Sequence, residues 1–350
     1  MKIEKKTKVL FFANIPVPNE ERSIGGATVL AKNILDFIVL NPRVVVTHKQ
    51  IRTFWRNKLQ VIDYFFWIFR FPFVARKYDV ISFHGTKDFH FTIAPILWLW
   101  AKALRKRTVY HFFGGNFMDQ YEAMPKAFQF ILKKTVLKSD TVFFETQQLM
   151  IFFEKKDVKN AIWLPNARKP IPIKRTVSSF EKKFVFISRV IPQKGIMEIV
   201  QAASMLPKEY SIDIYGPIDD RHYETTVFKN SCVNYKGPLR PDEIETILSK
   251  YNVLLLPSYF EGEGYPGIII ESLAMGIPVI ATQWKALPEV ITDGYNGLLI
   301  PIKDSGALAQ AMQKFNQNNY PEYCKNALES FEKFNSEVVF SRVIKSYIKE

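Results

Sequence analysis

Two carboxylates, two cations and a cluster of glycines in the second half of the chain carry the sharpest chemical signal. The run 257–267 holds Gly262, Gly264 and Gly267, with Glu263 among them. Glycines at this density let the backbone turn tightly and approach a ligand closely. Pro266 suits the first turn of a helix, and the apolar run 268–275 continues it. Backbone N–H groups between Gly264 and Ile268, around Tyr265 and Gly267, would then face an anion at a helix N-terminus. Glu271 follows Glu263 by eight positions. Carboxylates beside an anion site are unsuited to holding the phosphate itself. They suit hydroxyls on either side of it, such as those of a sugar and a ribose. Upstream, the run 188–195 carries Arg189 and Lys194, with Pro192 between them and Gly195 after. Two cations on such a loop can neutralise a diphosphate, Arg as a planar fork and Lys as a point charge.

The elements that must hold these residues alternate in type. Short apolar, β-branched or aromatic runs lie at 9–13, 44–47, 80–83, 109–113, 142–144 and 162–164, then at 184–187, 212–215, 253–256, 279–281 and 297–300. Runs without polar alternation read as parallel strands covered on both faces. Helix-like segments such as 27–37, 196–205, 242–249 and 268–275 separate them. The pattern predicts an α/β chain with doubly wound layers. About eleven strands exceed one such sheet, and prolines with polar residues punctuate 164–172. We therefore expect two Rossmann-like domains, 1–168 and 169–335, facing an interdomain cleft. Residues 336–350 read as an amphipathic helix.

The chain has 350 residues, 47% hydrophobic and 23% charged, a globular composition. Cys232 and Cys324 are too few for a disulfide framework and lack metal-ligand spacing, which fits a reducing compartment. The N-terminus lacks the apolar core of a signal peptide, and no apolar run reaches the roughly 20 residues of a membrane span. Net charge is +14, unevenly placed. Residues 1–170 hold 28 Lys+Arg against 13 Asp+Glu, and 171–350 hold 20 against 21. The first half also holds 30 of the 51 aromatics. A basic, aromatic-rich half points to nucleic acid, an anionic membrane or an acidic substrate. No nucleic-acid-binding module is present, so no nucleic-acid partner is expected.

From Phe184 to Ile300 the sequence resembles the retaining family 4 glycosyltransferases of the GT-B fold, within glycosyltransferase group 1. The resemblance rests on Ser188-Arg189 through Lys194-Gly195, on Tyr215-Gly216, and on Glu263 through Glu271 with Gly276, Ile277 and Pro278 after it. Pro288 to Ile291 and Gly294 to Leu299 complete the series. A weaker likeness covers the first half. There Gly25-Gly26 precede a helix after the first strand, and His111 ends the fourth. Two stretches depart from the family pattern: Pro165-Asn166-Ala167-Arg168-Lys169 at the domain junction, and Lys285-Ala286-Leu287.

The resemblance implies transfer of a sugar from a nucleotide-sugar to an acceptor hydroxyl with retention at the anomeric carbon. Arg189 and Lys194 would hold the diphosphate, Glu271 the ribose and Glu263 the donor sugar. His111 would position that sugar, with Gly216, Gly25 and Gly26 also at the donor site. The last helix would pack back on the first domain. No Asp-x-Asp motif sits at a strand end, since Asp219-Asp220 lie in a loop, so no metal and no cofactor are expected. A GT-B sugar-nucleotide epimerase, or another non-transferase, is the alternative.

Aromatics and cations mix at 55–58, 67–73, 97–102 and 128–134. This composition suits helices lying in a headgroup interface. We expect an enzyme on the inner face of the cytoplasmic membrane, acting on a saccharide or polyprenyl-diphosphate-linked acceptor in bacterial capsule, O-antigen or exopolysaccharide synthesis.

Overall fold

The computed structural model of the chain describes residues 6–20, 23, 25–53, 55, 59–171, 179–219, 223, 225–228 and 232–348. Arg56, Asn57 and Lys58 of the first expected interfacial segment lie outside the described residues, as does Asp220. In chain order the elements begin β1 (Thr7–Ala13), α1 (Gly26–Ile38), β2 (Val44–Lys49), α2 (Gln60–Ala75), β3 (Val80–Gly85), α3 (Lys87–His90) and α4 (Ala94–Ala103). They continue β4 (Arg107–Phe112), α5 (Phe117–Ala123), α6 (Lys126–Lys134), β5 (Thr141–Phe144), α7 (Gln147–Glu154) and β6 (Ala161–Trp163). Next come β7 (Lys183–Ile187), α8 (Ile196–Ser204), β8 (Ser211–Tyr215), β9 (Val233–Gly237), α9 (Ile244–Leu248), β10 (Val253–Leu256) and α10 (Gly267–Ala274). The chain closes with β11 (Val279–Thr282), α11 (Leu287–Val290), β12 (Gly297–Ile300), α12 (Ser305–Lys314), α13 (Tyr320–Phe331) and α14 (Ser336–Tyr347).

Two units result. The first comprises Met1–Ala167 with Ser336–Glu350, the second Arg168–Asn335. The first carries a six-stranded sheet in the order β2-β1-β3-β4-β5-β6, with parallel pairing throughout. Side-chain parity sends residues of each strand to two apolar layers. Leu10 and Phe12 join the layer beneath α2 and α4, and Val9, Phe11 and Ala13 join the one beneath α1 and α14. Burial on both faces explains the uninterrupted apolar runs. In α14, Val339, Phe340, Val343, Ile344 and Tyr347 form the buried stripe. Phe340 meets Phe37 of α1 edge to face, with ring centroids 5.7 Å apart. The Tyr347 hydroxyl donates to Ser82 Oγ at 2.8 Å, and Ser82 Oγ lies 2.8 Å from His84 Nε2.

The second unit carries a parallel sheet in the order β12-β11-β10-β7-β8-β9. Numbered from β7 this is the 3-2-1-4-5-6 order of dinucleotide-binding folds, which places the topological switch point between β7 and β10. The expected strands all form, and β9 is added to them. Only Val233 of β9 is buried, and Asn234 and Lys236 are exposed, so this edge strand has no apolar run to betray it.

Candidate active site

The loops that follow β7 and β10 leave the carboxyl ends of adjacent strands, where ligands of open α/β sheets bind. Gly195 closes the first loop at φ +78, and a side chain there would collide with the Pro257 carbonyl oxygen of the second. Its backbone freedom therefore lets the two loops touch. The contact is tied by Tyr259 N–H donating to the Gln193 carbonyl at 2.8 Å. Gly216 has a similar place at the end of β8, where a Cβ would strike the Ser188 carbonyl oxygen.

This crossing brings together residues that are far apart in sequence. The Arg189 guanidinium lies 5.5 Å from the centroid of the Phe260 ring, and Lys194 Nζ lies 5.3 Å from the same ring. Arg189 is exposed. Lys194 is not: it is 6% exposed, and its Nζ sits 2.9 and 2.6 Å from the two oxygens of Glu263, itself 5% exposed. Ser258 Oγ also donates to Glu263. The cation that the sequence places on this loop is thus buried in an ion pair rather than exposed. The turn at 192–194 folds the side chain inward, onto the Gly-rich loop, where it neutralises a carboxylate that would otherwise be buried alone.

α10 starts at Gly267, with Pro266 as its N-cap residue, as the sequence indicates. Gly264, Pro266, Gly267 and Ile268 are each partly accessible along this entry. Tyr265 is 2% exposed, and its hydroxyl donates to Glu289, so its side chain braces the loop from within. Glu271 receives a hydrogen bond from Arg168 Nε at 2.6 Å, with both side chains half-buried. A side chain at Gly267 would collide with that guanidinium. Trp284 Nε1 donates to the Phe260 carbonyl at 3.0 Å and Lys285 pairs with Glu261 at 3.1 Å, which ties Trp284 and the divergent 285–287 stretch after it to the loop.

Sequence reasoning missed Phe260, Ser258 and Arg168. Phe260 and Ser258 lay inside the quoted loop, where an aromatic and a hydroxyl beside glycines were the available signal. Arg168 lay in the divergent junction, and the departure from the family pattern there was its signal.

The model of the family described as Glycosyl transferases group 1 matches residues 181–318, the stretch that holds Arg189, Lys194, Glu263 and Glu271. Most of the second unit, 181–318 of 168–335, thus matches the group 1 glycosyl transferase model. Over 186 residues this chain is 29% identical to the putative colanic acid biosynthesis glycosyltransferase WcaL of Escherichia coli, covering 49% of this chain and 45% of that protein. It is 26% identical over 167 residues to the N,N'-diacetylbacillosaminyl-diphospho-undecaprenol alpha-1,3-N-acetylgalactosaminyltransferase of Campylobacter jejuni, covering 47% and 43%. The chain thus spans about half the length of the curated relatives it matches. HepE of Anabaena, solved with UDP, superposes with a TM-score of 0.74 at 15% identity over 97% of this chain and 99% of that one. At that identity the likeness bears on fold alone, and the fold is that of GT-B glycosyltransferase structures, with one six-stranded parallel sheet on either side of the 167/168 break.

The second unit thus gathers Arg189 and Lys194 around one ring, with Glu263 paired to Lys194. The remaining sequence candidates belong to the first unit. Gly25 and Gly26 are exposed at the entry to α1, with open space where a side chain would stand. His111 is wholly buried, on the β4 face shared by Val109 and Phe113, and 5.5 Å ring to ring from His84. Neither of its ring nitrogens has a hydrogen-bond partner, and burial pushes its pKa down to about 3, so the ring is neutral.

Proposed function

We propose that the chain transfers a sugar from a nucleotide-sugar to an acceptor hydroxyl, with retention at the anomeric carbon and without a metal ion. The observation that carries the proposal is the convergence of Arg189 and Lys194 on Phe260, beside the buried Glu263, at the switch point of a group 1 glycosyl transferase domain. Departure of a nucleoside diphosphate leaves negative charge on its outer phosphate. The exposed Arg189 fork meets that charge, and its stacking on Phe260 fixes its direction. The Lys194 ammonium has three donors, so it can serve Glu263 and a phosphate oxygen together. N–H groups at the start of α10 add to the anion site. Glu263 and Glu271 accept from the donor-sugar and ribose hydroxyls, Glu271 when Arg168 yields. The glycosidic C–O bond to the diphosphate breaks as the acceptor oxygen bonds the same carbon, and the acceptor proton passes to the departing phosphate. His111 supports the sugar side only if its layer opens, and Gly25 and Gly26 leave room for a ligand at α1.

The acceptor we propose is a lipid-linked saccharide in a bacterial surface polysaccharide, handled at the inner face of the cytoplasmic membrane. The names of the colanic acid and undecaprenol-linked relatives support that class, and the UDP-bound HepE structure supports a nucleoside diphosphate donor. The test is a thermal-shift screen of nucleotide-sugars, followed by turnover with lipid-linked saccharides. A donor at 100 times its Kd should stabilise by about 2.7 kcal/mol. Nucleoside diphosphate should appear only with acceptor present. Conversion of the donor sugar with no acceptor would replace transfer by epimerisation.

A further inference from the structure

The outer face of α2 is as apolar as its inner face. Tyr64, Trp67, Phe71 and Ala75 are buried on the sheet side. At the complementary positions Phe65, Phe66, Phe69 and Phe73 are 65%, 50%, 61% and 65% exposed. A helix that is apolar all round belongs in a core or in lipid, and large exposed apolar patches mark interaction sites. α4 packs alongside α2 and adds Leu99 and Trp100, both exposed.

Cations edge this face. The Arg70 guanidinium lies 5.1 Å from the Phe66 ring and that of Arg76 lies 5.4 Å from the Phe73 ring. At the C-terminal end of α4 a cavity of about 500 Å³ is lined by Lys102, Arg105, Lys106, Arg107 and Asp140. Asp140 is engaged by Lys102 at 2.6 Å and by the Thr108 N–H at 2.7 Å. Lys106 Nζ donates to the Arg76 carbonyl at 2.9 Å, so the cavity wall adjoins the end of α2. The lining therefore carries four cations against one carboxylate, beside a row of exposed phenylalanines.

We propose that the α2–α4 face of the first unit docks on an anionic membrane surface. Phe65, Phe66, Phe69 and Phe73 enter the acyl boundary, and the cavity at Arg105 and Arg107 takes lipid phosphates. The inference stands on the first unit alone and does not depend on the glycosyl-transfer reading. The helix lies along the surface: sixteen residues at about 1.5 Å each fall short of a hydrocarbon core of about 30 Å. No helix among the described residues is long and apolar enough to cross a membrane. Charge favours lipid over a second copy, because self-pairing through this face would gather two basic rims with few carboxylates to offset them. Amphipathic surfaces with Lys and Arg beside Phe and Trp bind interfaces in this way.

The test is co-sedimentation of the full chain with vesicles of phosphatidylcholine alone and with phosphatidylglycerol added, at low and high salt. Binding should require the anionic lipid and weaken at least about tenfold at high salt. The triple variant Phe65→Ser, Phe69→Ser, Phe73→Ser should lose binding by a similar factor while melting no lower than wild type. The pair Arg76→Gln and Arg105→Gln leaves the apolar face intact and should weaken binding to anionic vesicles at least about tenfold. Absence of binding at low salt overturns the proposal, as does full binding by either variant. A wild-type dimer that the triple variant makes monomeric, with no vesicle binding, assigns the face to a second copy instead.

Discussion

Lys194 and Glu263 form an ion pair inside the second unit, the ammonium 2.6 Å from one carboxylate oxygen and both side chains less than 10% exposed. Removing one partner of such a pair leaves the other charge buried and alone. Lys194→Ala should therefore cost about 3 kcal/mol of stability, as well as activity. Lys194→Met combined with Glu263→Leu should recover most of that stability and none of the activity. Denaturant titration measures the first effect. A loss below about 1 kcal/mol in the single variant would show that the pair opens to water.

Arg189 should behave in the opposite way. It is exposed and rests on the face of Phe260. Arg189→Ala should change stability by no more than about 0.5 kcal/mol and slow turnover by about a hundredfold, the usual scale for lost stabilisation of developing charge. Melting curves and single-donor kinetics separate the two. Equal losses of stability and turnover would make Arg189 structural.

Gly267 and Arg168 should be coupled. A methyl group at Gly267 displaces the guanidinium that holds Glu271. Gly267→Ala and Arg168→Ala should each cost about 1.5–3 kcal/mol, the value of a hydrogen bond to a charged group. The double variant should cost little more than either alone. Additive losses would separate the glycine from the ion pair.

If Arg189 and Lys194 supply the charge that Mg²⁺ supplies in other phosphoryl-binding enzymes, as proposed, activity should persist in excess EDTA. Loss of turnover in EDTA, with recovery on adding Mg²⁺ or Mn²⁺, would contradict that assignment.

Acid should destabilise the first unit before its carboxylates titrate. Burial lowers His90 and His111 to about 3 and His84 well below its ordinary range, helped there by His111 and His48. In the unfolded chain each accepts a proton near pH 6.5. Between those values the unfolded state binds more protons, so this contribution is complete above about pH 7 and is lost as pH falls towards 3. Each histidine should cost about 1 kcal/mol per pH unit in that window. Melting should fall between pH 7 and pH 5, and His111→Phe should flatten the fall. An unchanged slope in that variant would mean that His111 does not report the acid limb.

The parallel strands were legible because burial on both faces removes polar alternation, and the Gly-rich entry to α10 because its turn needs those residues. Partnership was not legible. Arg168 and Glu271 stand 103 positions apart, and nothing local to either names the other. His111 was visible as a histidine at a strand end. Which face it took depended on Val109 and Phe113 sharing its parity, and that alternation was blurred because both faces of β4 are apolar. The edge strand β9 escaped for the converse reason, since its outward positions are polar.

The placement of α14 imposes an order of assembly. The ribosome makes this helix after the whole of 168–335. The second unit is therefore contiguous and can fold as it emerges. The first must wait with the α1 side of its sheet only partly covered, by α1 alone, until Val339, Phe340, Val343 and Tyr347 arrive. Nascent chains stalled just short of residue 336 should carry a folded second unit and a protease-sensitive first one, and a chaperone that shields apolar surface should associate with them there.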